Sequence, residues 1–263
     1  MPKTLTLLVV CFVVTLAGCA HEGEPDITVF PLAQDAMADV DRTLAAARAE
    51  EKLALVVLGA NWCHDSRALT ERFDDPRMSA LLAASYKVQL VNVGYLDRGF
   101  DVAERFGLPV YTHTPTVLII DPQTGDVVNV DDHFQWRDAY KISDEATLAY
   151  FTAKTDPANW ASEAPPAVVA SPVYVELIEG VAEFEAEQAA RIRSAYALIG
   201  PRMEADAPDM RDYWRPVAKL RYRLPDDVKA LRDEVAERVA AGETEIDLAF
   251  PTYPAWPWEV AAD

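Results

Sequence analysis

Cysteine and basic residues are scarce in this chain of 263 residues. There are three cysteines, Cys11, Cys19 and Cys63, and 24 Lys and Arg against 43 Asp and Glu, which gives a formal net charge of -19. A surface this acidic repels phosphate backbones, which excludes nucleic-acid binding. The acidic surface either serves only to keep the protein soluble or is recognised by a partner that binds acidic groups.

Several motifs of common enzyme classes are missing as well. The sequence contains no Gly-rich phosphate loop, no Ser nucleophile elbow, no metalloprotease helix and no internal repeat. We therefore expect no cofactor. Hydrophobic residues make up 51% of the chain and aromatic residues 10%, so the chain is able to bury a substantial core.

The first nineteen residues have the pattern of an export signal. Lys3 precedes the apolar run Leu5–Leu16, which is too short to span a bilayer comfortably and leads into Leu16-Ala17-Gly18-Cys19. This tetrapeptide resembles the bacterial lipobox. The resemblance implies that residues 1–18 are removed together with Cys11 and that Cys19 becomes a lipidated N-terminus. The alternative is a buried N-terminal helix or an uncleaved anchor.

A lipidated Cys19 has two consequences. The acyl chains would anchor the protein on the periplasmic side of the cell envelope, and Ala20 in place of Asp favours the outer over the inner membrane. Cys63 would also be the one free thiol of the mature chain, so that any cysteine chemistry has to use a single thiol.

The rest of the chain divides into four predicted parts. Residues 19–34 are a polar tether, 35–155 an α/β unit, 156–171 a linker rich in Pro, Ala and Ser, and 172–263 a helical region with an extended aromatic tail.

Periodicity and turn signals predict the order α-β-α-β-α-β-β-α for the α/β unit. The predicted helices are Asp35–Glu51, one that starts after Trp62, Phe100–Phe106, and Asp144–Lys154 with a Ser143 cap, and the predicted strands are Leu53–Ala60, Tyr86–Val93, Thr116–Ile120 and Asp126–Val130. The first strand is apolar throughout, so we expect it to be covered on both faces. The last two strands are expected to form a hairpin.

The helical region is predicted to form a cap on the α/β unit. One long helix with a single apolar face should end at Gly200-Pro201, followed by a short helix, Asp209–Leu220, and another, Pro225–Gly242. The proline-rich tail Phe250–Trp258 is expected to be extended, with Trp256 and Trp258 fixing it to its own helices. We expect this cap to leave the face around Cys63 open.

Two motifs of the α/β unit resemble the thioredoxin family. Trp62-Cys63-His64-Asp65-Ser66 stands at the first strand-to-helix turn, and Thr114-Pro115 precedes the third strand. The resemblance covers residues 35–155. It implies an α/β, thioredoxin-like fold with an appended C-terminal helical region, and a cis peptide bond before Pro115 close to the sulfur of Cys63.

The resemblance also gives the candidate site. Candidate catalytic residues are Trp62, Cys63, His64 and Ser66, and the segment His113-Thr114-Pro115 is the candidate for substrate binding. A thiol at a helix N-terminus faces unpaired N–H groups and the positive end of the helix dipole, which favour the nucleophilic thiolate. The alternative for Cys63 is a small buried hydrophobic residue.

The sequence departs from the family where the second step of the chemistry would take place. Ser66 stands where dithiol members have the resolving cysteine, and Val57 stands where they have a buried acid. A serine hydroxyl cannot resolve a mixed disulfide. We expect Ser66 to donate a hydrogen bond to the Cys63 sulfur and to help cap the helix.

Two histidines are predicted to lie near the sulfur. A protonated ring of His64 or His113 would stabilise the thiolate, and a neutral ring could act as a base. With Cys63 the two could instead hold copper or zinc, but we expect no metal. Asp65 disfavours strong activation of the thiol.

These observations leave two hypotheses for function. One is a monothiol oxidoreductase or isomerase of the cell envelope, in which Cys63 attacks protein or small-thiol disulfides and an external thiol releases it. The other is a non-catalytic scaffold that uses the groove beside Pro115 to hold an envelope partner. Trp62 and Cys63 favour the first, because a scaffold has no need of them.

Overall fold

The computed structural model describes residues 28–160 and 164–260. The predicted signal, its alternatives and Cys19 lie outside these residues. Within the described ranges, no helix combines the length and apolarity needed to cross a membrane. The α-helices are α1 (Ala36–Ala49), α2 (His64–Phe73), α3 (Pro76–Ser85), α4 (Phe100–Arg105), α5 (Asp144–Lys154), α6 (Pro166–Val169), α7 (Pro172–Glu204), α8 (Met210–Ala240) and α9 (Pro257–Val260). A long 3-10 helix, His133–Lys141, and a short one, Pro157–Asn159, complete the helical elements.

A three-stranded mixed sheet forms the centre of the α/β unit. Its strands β1 (Leu53–Gly59), β2 (Tyr86–Asn92) and β3 (Thr116–Ile120) lie in the order β2-β1-β3. β1 runs parallel to β2 and antiparallel to β3. The six residues of β1 after Leu53 are all buried, which confirms that this strand is covered on both faces.

The predicted fourth strand, Asp126–Val130, is wrong. Val127 makes an isolated bridge to Ile120, and the chain then turns away from the sheet. The reason is Asn129, whose side-chain Oδ1 accepts a hydrogen bond from Ile119 N at 2.8 Å while its Nδ2 donates to Val117 O at 2.9 Å. The amide side chain thus satisfies the β3 backbone that a strand would otherwise have paired.

One helix of the α/β unit was not predicted at all. α3 begins at Pro76, a residue suited to the first turn because it lacks an N–H, and Asp75 caps it by accepting from Met78 N at 3.3 Å. These start signals are visible in the sequence, but α3 has no clear apolar periodicity.

The helical region consists mainly of two long helices rather than three. α7 continues four residues past Gly200, and α8 runs without a break through Pro216 and Pro225. A proline inside a helix costs about 3 kcal/mol. Burying each apolar side chain of the α8 face contributes about 1.5–3 kcal/mol, which outweighs that cost over the length of the helix. The buried apolar residues of α8 are Val217, Leu220, Leu224, Val228, Leu231 and Val235.

The predicted linker, 156–171, is not wholly irregular. Its described residues include the short 3-10 helix and α6, and the indole of Trp160 donates to Lys154 O at 2.9 Å. Its role as a boundary between domains stays a prediction.

The helices α7 and α8 share one hydrophobic core with one face of the sheet. That core joins Val56 and Leu58 of β1 to Ile192 of α7 and Leu224 of α8. A second core on the opposite face of the sheet contains Val57 together with residues from α2, α3, α5 and the long 3-10 helix. The structure therefore confirms that the helical region packs on the α/β unit.

The aromatic tail packs on α7 as predicted, although its end is helical. Trp256 is 5% exposed and lies under the guanidinium of Arg191, which also forms a 2.8 Å ion pair with Glu259. Pro257 starts α9, so the prediction that Phe250–Trp258 is extended throughout is wrong for its last two residues.

Two glycines of α7 allow a test of how closely this helix packs on the α/β unit. A Cβ atom at Gly200 would lie 2.3 Å from Tyr95 O, a backbone atom, whereas one at Gly180 would meet nothing closer than 3.9 Å. We predict that Gly200→Ala destabilises the protein by about 1–3 kcal/mol through this clash. Gly180→Ala, the matched control, should stabilise it by about 0.5–1 kcal/mol. Urea unfolding checks both, and equal midpoints for the two variants would contradict the close approach of α7.

Candidate functional site

The turn that carries Cys63 is fixed from both sides. Asn61 Oδ1 accepts from the backbone N–H groups of Val29 and Phe30, at 3.0 and 2.8 Å, and Trp62 Nε1 donates to Gly94 O at 2.7 Å. Cys63 is the N-cap of α2 and its N–H bonds to Ala60 O at 3.1 Å. The thiol therefore sits at the start of a helix, as predicted.

The sulfur of Cys63 lies against the loop that precedes β3. The Thr114–Pro115 peptide bond is cis, as predicted, and Thr114 O is 3.1 Å from Cys63 Sγ. Thr114 Oγ1 lies 3.3 Å from the same sulfur. A thiol at this position donates to the carbonyl oxygen, whereas a thiolate has to accept from the threonine hydroxyl instead.

Cys63 is 8% exposed, although the residue that follows it, His64, is exposed. It is the one cysteine among the described residues, and it is free. Burial here results from the helical region, which covers the site.

Ser66 does not make the predicted hydrogen bond to the sulfur. It is fully buried, and its hydroxyl accepts from Ala60 N at 3.4 Å. The space next to Gly59, which has no side chain, receives this hydroxyl: a Cβ at Gly59 would lie 2.9 Å from Ser66 Oγ. Val57 is buried in β1, so no acid occupies that position.

The two residues after Cys63 contact the long 3-10 helix rather than the sulfur. His64 is exposed, and its ring packs edge-on against Tyr140 with centroids 4.8 Å apart. Asp65 Oδ1 accepts from Tyr140 N at 3.1 Å. Of the candidate catalytic residues, Cys63 and Trp62 line a common cavity and His64 and Ser66 do not.

His113 is buried beside the sulfur and stacks on His133, with ring centroids 5.4 Å apart. Burial, helped by the positive charge of Arg221, holds the pKa of His113 well below its usual range, so the ring is neutral. Its Nε2 lies 3.3 Å from His133 O and its Nδ1 lies 3.1 Å from Thr112 Oγ1. His113 is therefore not the imidazolium considered for stabilising the thiolate, and as a potential base it has both ring nitrogens already engaged.

The alternative of a copper or zinc site finds no support in the geometry. No group of three or more His, Cys, Asp or Glu side chains within residues 28–160 and 164–260 is arranged to hold a metal ion.

The prediction that the cap leaves the Cys63 face open is wrong. Trp214, Arg221 and Tyr222 of α8 line a cavity of about 110 Å³ together with Cys63. Arg221 Nε donates to Thr112 O at 2.6 Å, which holds α8 against the loop before β3. Sequence reasoning missed Arg221 because it placed a break between two helices at residues 221–224, where α8 is continuous.

Comparisons with known proteins agree with this fold. Residues 35–122 match the family model described as thioredoxin-like. A crystal structure of a disulphide isomerase from Xylella fastidiosa Temecula1 is 30% identical, with 48% of this chain and 98% of that chain covered and a TM-score of 0.45. No curated protein matches the chain. The chain belongs to the thioredoxin-like family, with a helical region appended after the domain.

The buried histidines give a testable dependence of stability on pH. Burial lowers the pKa of His133 to about 4, so between pH 4 and 6.5 the unfolded chain binds more protons than the folded one. Stability must therefore fall as the pH is lowered through this window. We predict that His133 alone accounts for a loss on the order of 2 kcal/mol between pH 7 and pH 5.

The measurement is chemical unfolding of the full chain and of His133→Gln at both pH values. The variant should lose less stability than the original protein over this interval. The same loss in both proteins would show that His133 is not held neutral.

Proposed function

We propose that the protein carries out monothiol thiol–disulfide exchange through Cys63. The observation that carries this proposal is the position of Cys63 Sγ. It lies at the start of α2, 3.1 Å from Thr114 O, and Cys63 lines a small cavity. The N-terminal N–H groups of α2 favour a negative charge at this position, and Thr114 Oγ1 is placed to donate to a thiolate.

The proposed reaction stops at a mixed disulfide. The Cys63 thiolate attacks one sulfur of a disulfide, a new S–S bond forms as the old one breaks, and the departing half leaves as a thiolate that takes up a proton. Ser66 cannot displace Cys63 from this adduct, and no acid stands at Val57 to move a proton. A second thiol from outside has to attack the adduct, which reduces Cys63 again and releases the bound half as a disulfide.

Restoring the resolving group tests this proposal. We predict that Cys63 in the unaltered chain forms a lasting adduct with a small disulfide, whereas Ser66→Cys releases the bound half and forms a 63–66 disulfide. Positions 63 and 66 are about one helical turn apart, within the range of a disulfide. Intact-protein mass spectrometry follows both species over time.

Thr70→Cys is the matched control for this experiment. Residue 70 is also buried on α2, but it lies about 10 Å along the axis from residue 63, too far for a disulfide. The adduct should therefore persist in Thr70→Cys. An unreactive Cys63, or an adduct that disappears in the unaltered chain without an added thiol, would contradict the monothiol mechanism.

The scaffold hypothesis remains the second candidate, and the cover over Cys63 favours it only in the form in which the partner binds outside the groove beside Pro115. α8 lies across the groove beside Pro115, so that a client would need to dock elsewhere or displace this helix. Covalent trapping of envelope partners separates the two functions. Adducts that vanish in Cys63→Ala favour exchange, whereas the same partners with and without the thiol favour a scaffold.

We further propose that the protein acts on the periplasmic side of the cell envelope, held by a lipid on Cys19. The support is the sequence Leu16-Ala17-Gly18-Cys19 after an apolar run. We predict that membrane-extracted protein begins with an acylated cysteine, as detected by mass spectrometry of its N-terminal peptide. Cys19→Ala should abolish the acylation, and a soluble chain that begins at Met1 would contradict the proposal.

A further inference from the structure

The cavity beside Cys63 is small and is closed on one side by α8. Its volume of about 110 Å³ corresponds to roughly four water molecules, since each takes about 30 Å³ in the liquid. A group of a few heavy atoms fits this space. The residues that enclose it are Trp62, Cys63, Asp65, Thr112, His113, Thr114, Arg137, Trp214, Arg221 and Tyr222.

Arg221 places a buried positive charge in this cavity. Its side chain is 5% exposed, and no carboxylate within the described ranges approaches it to 4.0 Å. Its guanidinium lies over the rings of Trp214 and Tyr196, at 4.6 and 5.2 Å, and Nε donates to Thr112 O. The guanidinium also lies close to the Tyr196 hydroxyl, where it partly offsets the burial that raises the pKa of that tyrosine, but no carboxylate pairs with its two terminal nitrogens in the described part of the chain. A buried cation without an anionic partner is costly, and such a guanidinium is well suited to bind a carboxylate.

The lining contains two cations and one acid, so its own formal charge is +1. Arg137 is a second cation in the lining, although it shares its charge with Asp226 at 3.3 Å. The single acid of the lining is Asp65, which is already bonded to Tyr140 N. His113 is neutral. A positive cavity in a protein of net charge -19 is a local feature that the composition does not require.

We propose that this cavity binds the carboxylate of a low-molecular-weight disulfide and presents the S–S bond to Cys63. The inference rests on the proposed thiol–disulfide exchange and names its substrate class. Arg221 holds the carboxylate, Arg137 adds to the attraction, and Cys63 Sγ forms the mixed disulfide while the other half departs as a thiol. α8, which belongs to the appended helical region, thus supplies the specificity for the thiol of the thioredoxin-like domain.

Three disulfides of equal chain length test the charge preference on the full chain. They are 3,3′-dithiodipropionate, with two carboxylates, 2-hydroxyethyl disulfide, which is neutral, and cystamine, with two ammonium groups. The rate of adduct formation at Cys63 is followed by intact mass and divided by the rate with a free cysteine thiol.

We predict that the anionic disulfide reacts about tenfold faster than the neutral one after this correction, equivalent to about 1.4 kcal/mol, and that cystamine is slowest. Equal rates for the anionic and neutral compounds would overturn the inference and leave the exchange reaction standing. No adduct with any of the three would overturn the proposed function itself.

Variants of Arg221 assign the preference to this residue. Arg221→Met keeps an unbranched apolar stem and removes the charge, so the ratio of anionic to neutral rates should fall close to one, and Arg221→Lys should restore part of it. Arg193→Met is the control, because Arg193 is a half-exposed arginine of α7 that pairs with Glu104 and lies over Phe100. Its ratio should stay that of the original protein.

Thermal unfolding shows whether each variant is folded. A folded Arg221→Met protein with an unchanged ratio would contradict the proposal. If Arg221→Met does not fold, Arg137→Gln tests the same positive cavity from the other side, with a smaller fall in the ratio expected. The comparison of the three disulfides on the unaltered chain decides the proposal in either case.

Discussion

The arrangement of helices around the sheet depends on one constraint, which is that the backbone carbonyl groups just before β3 need hydrogen-bond donors. The segment Tyr111–Thr114 is buried except for the half-buried Thr112 and belongs to no strand, so its carbonyl groups need partners from elsewhere. Tyr196 of α7 donates to Tyr111 O at 2.9 Å, and Arg221 of α8 donates to Thr112 O. The hydroxyl of Thr116 donates to His113 O, and the thiol of Cys63 donates to Thr114 O. Three carbonyl groups of this loop, those of Tyr111, Thr112 and Thr114, thus hold two helices and the Cys63 sulfur in one place.

These contacts also determine the electrostatic state of the site. The same packing that brings Arg221 to the loop buries His113, and the positive charge of Arg221 helps to keep the His113 ring neutral. The site therefore carries the permanent positive charge of Arg221 and not a charge on His113 that would depend on protonation. The charge that Arg221 brings to the cavity is consequently constant across the pH range in which an ordinary histidine titrates.

The sequence is most informative where local signals and tertiary structure agree. β1 is apolar throughout and Asp35, Ser143 and Pro115 stand at element boundaries, so the elements of the α/β unit were largely predictable, and the contact of Cys63 with Thr114-Pro115 was implied by the resemblance to the thioredoxin family. Prediction failed where one side chain or distant packing decided the outcome. Asn129 replaces a strand with its side-chain amide, and the buried face of α8 overrides Pro225.

The covered site illustrates the same limit. The sequence indicates that the helical region has apolar faces to bury, but not which surface of the α/β unit receives them. The hydrogen bond from Arg221 to Thr112 O joins residues far apart in the chain, and no periodic pattern in the sequence indicates it. Ser66 is a similar case, since its hydroxyl turns toward Ala60 N because Gly59 leaves room there.

The position of Cys63 beneath α8 also affects which thiols can reach an adduct once it has formed. A group bound to the sulfur fills a space of about 110 Å³, with Trp214 and Tyr222 on one side of it. A small thiol needs only to enter at the open side of that space, whereas a cysteine on the surface of a folded protein would have to move α8 first. Because α8 shares the main core of the molecule, such a movement is a partial unfolding event with its own free-energy cost. The lifetime of an adduct at Cys63 is therefore linked to the stability of the helical region, and a change that loosens α8 far from the sulfur would shorten it.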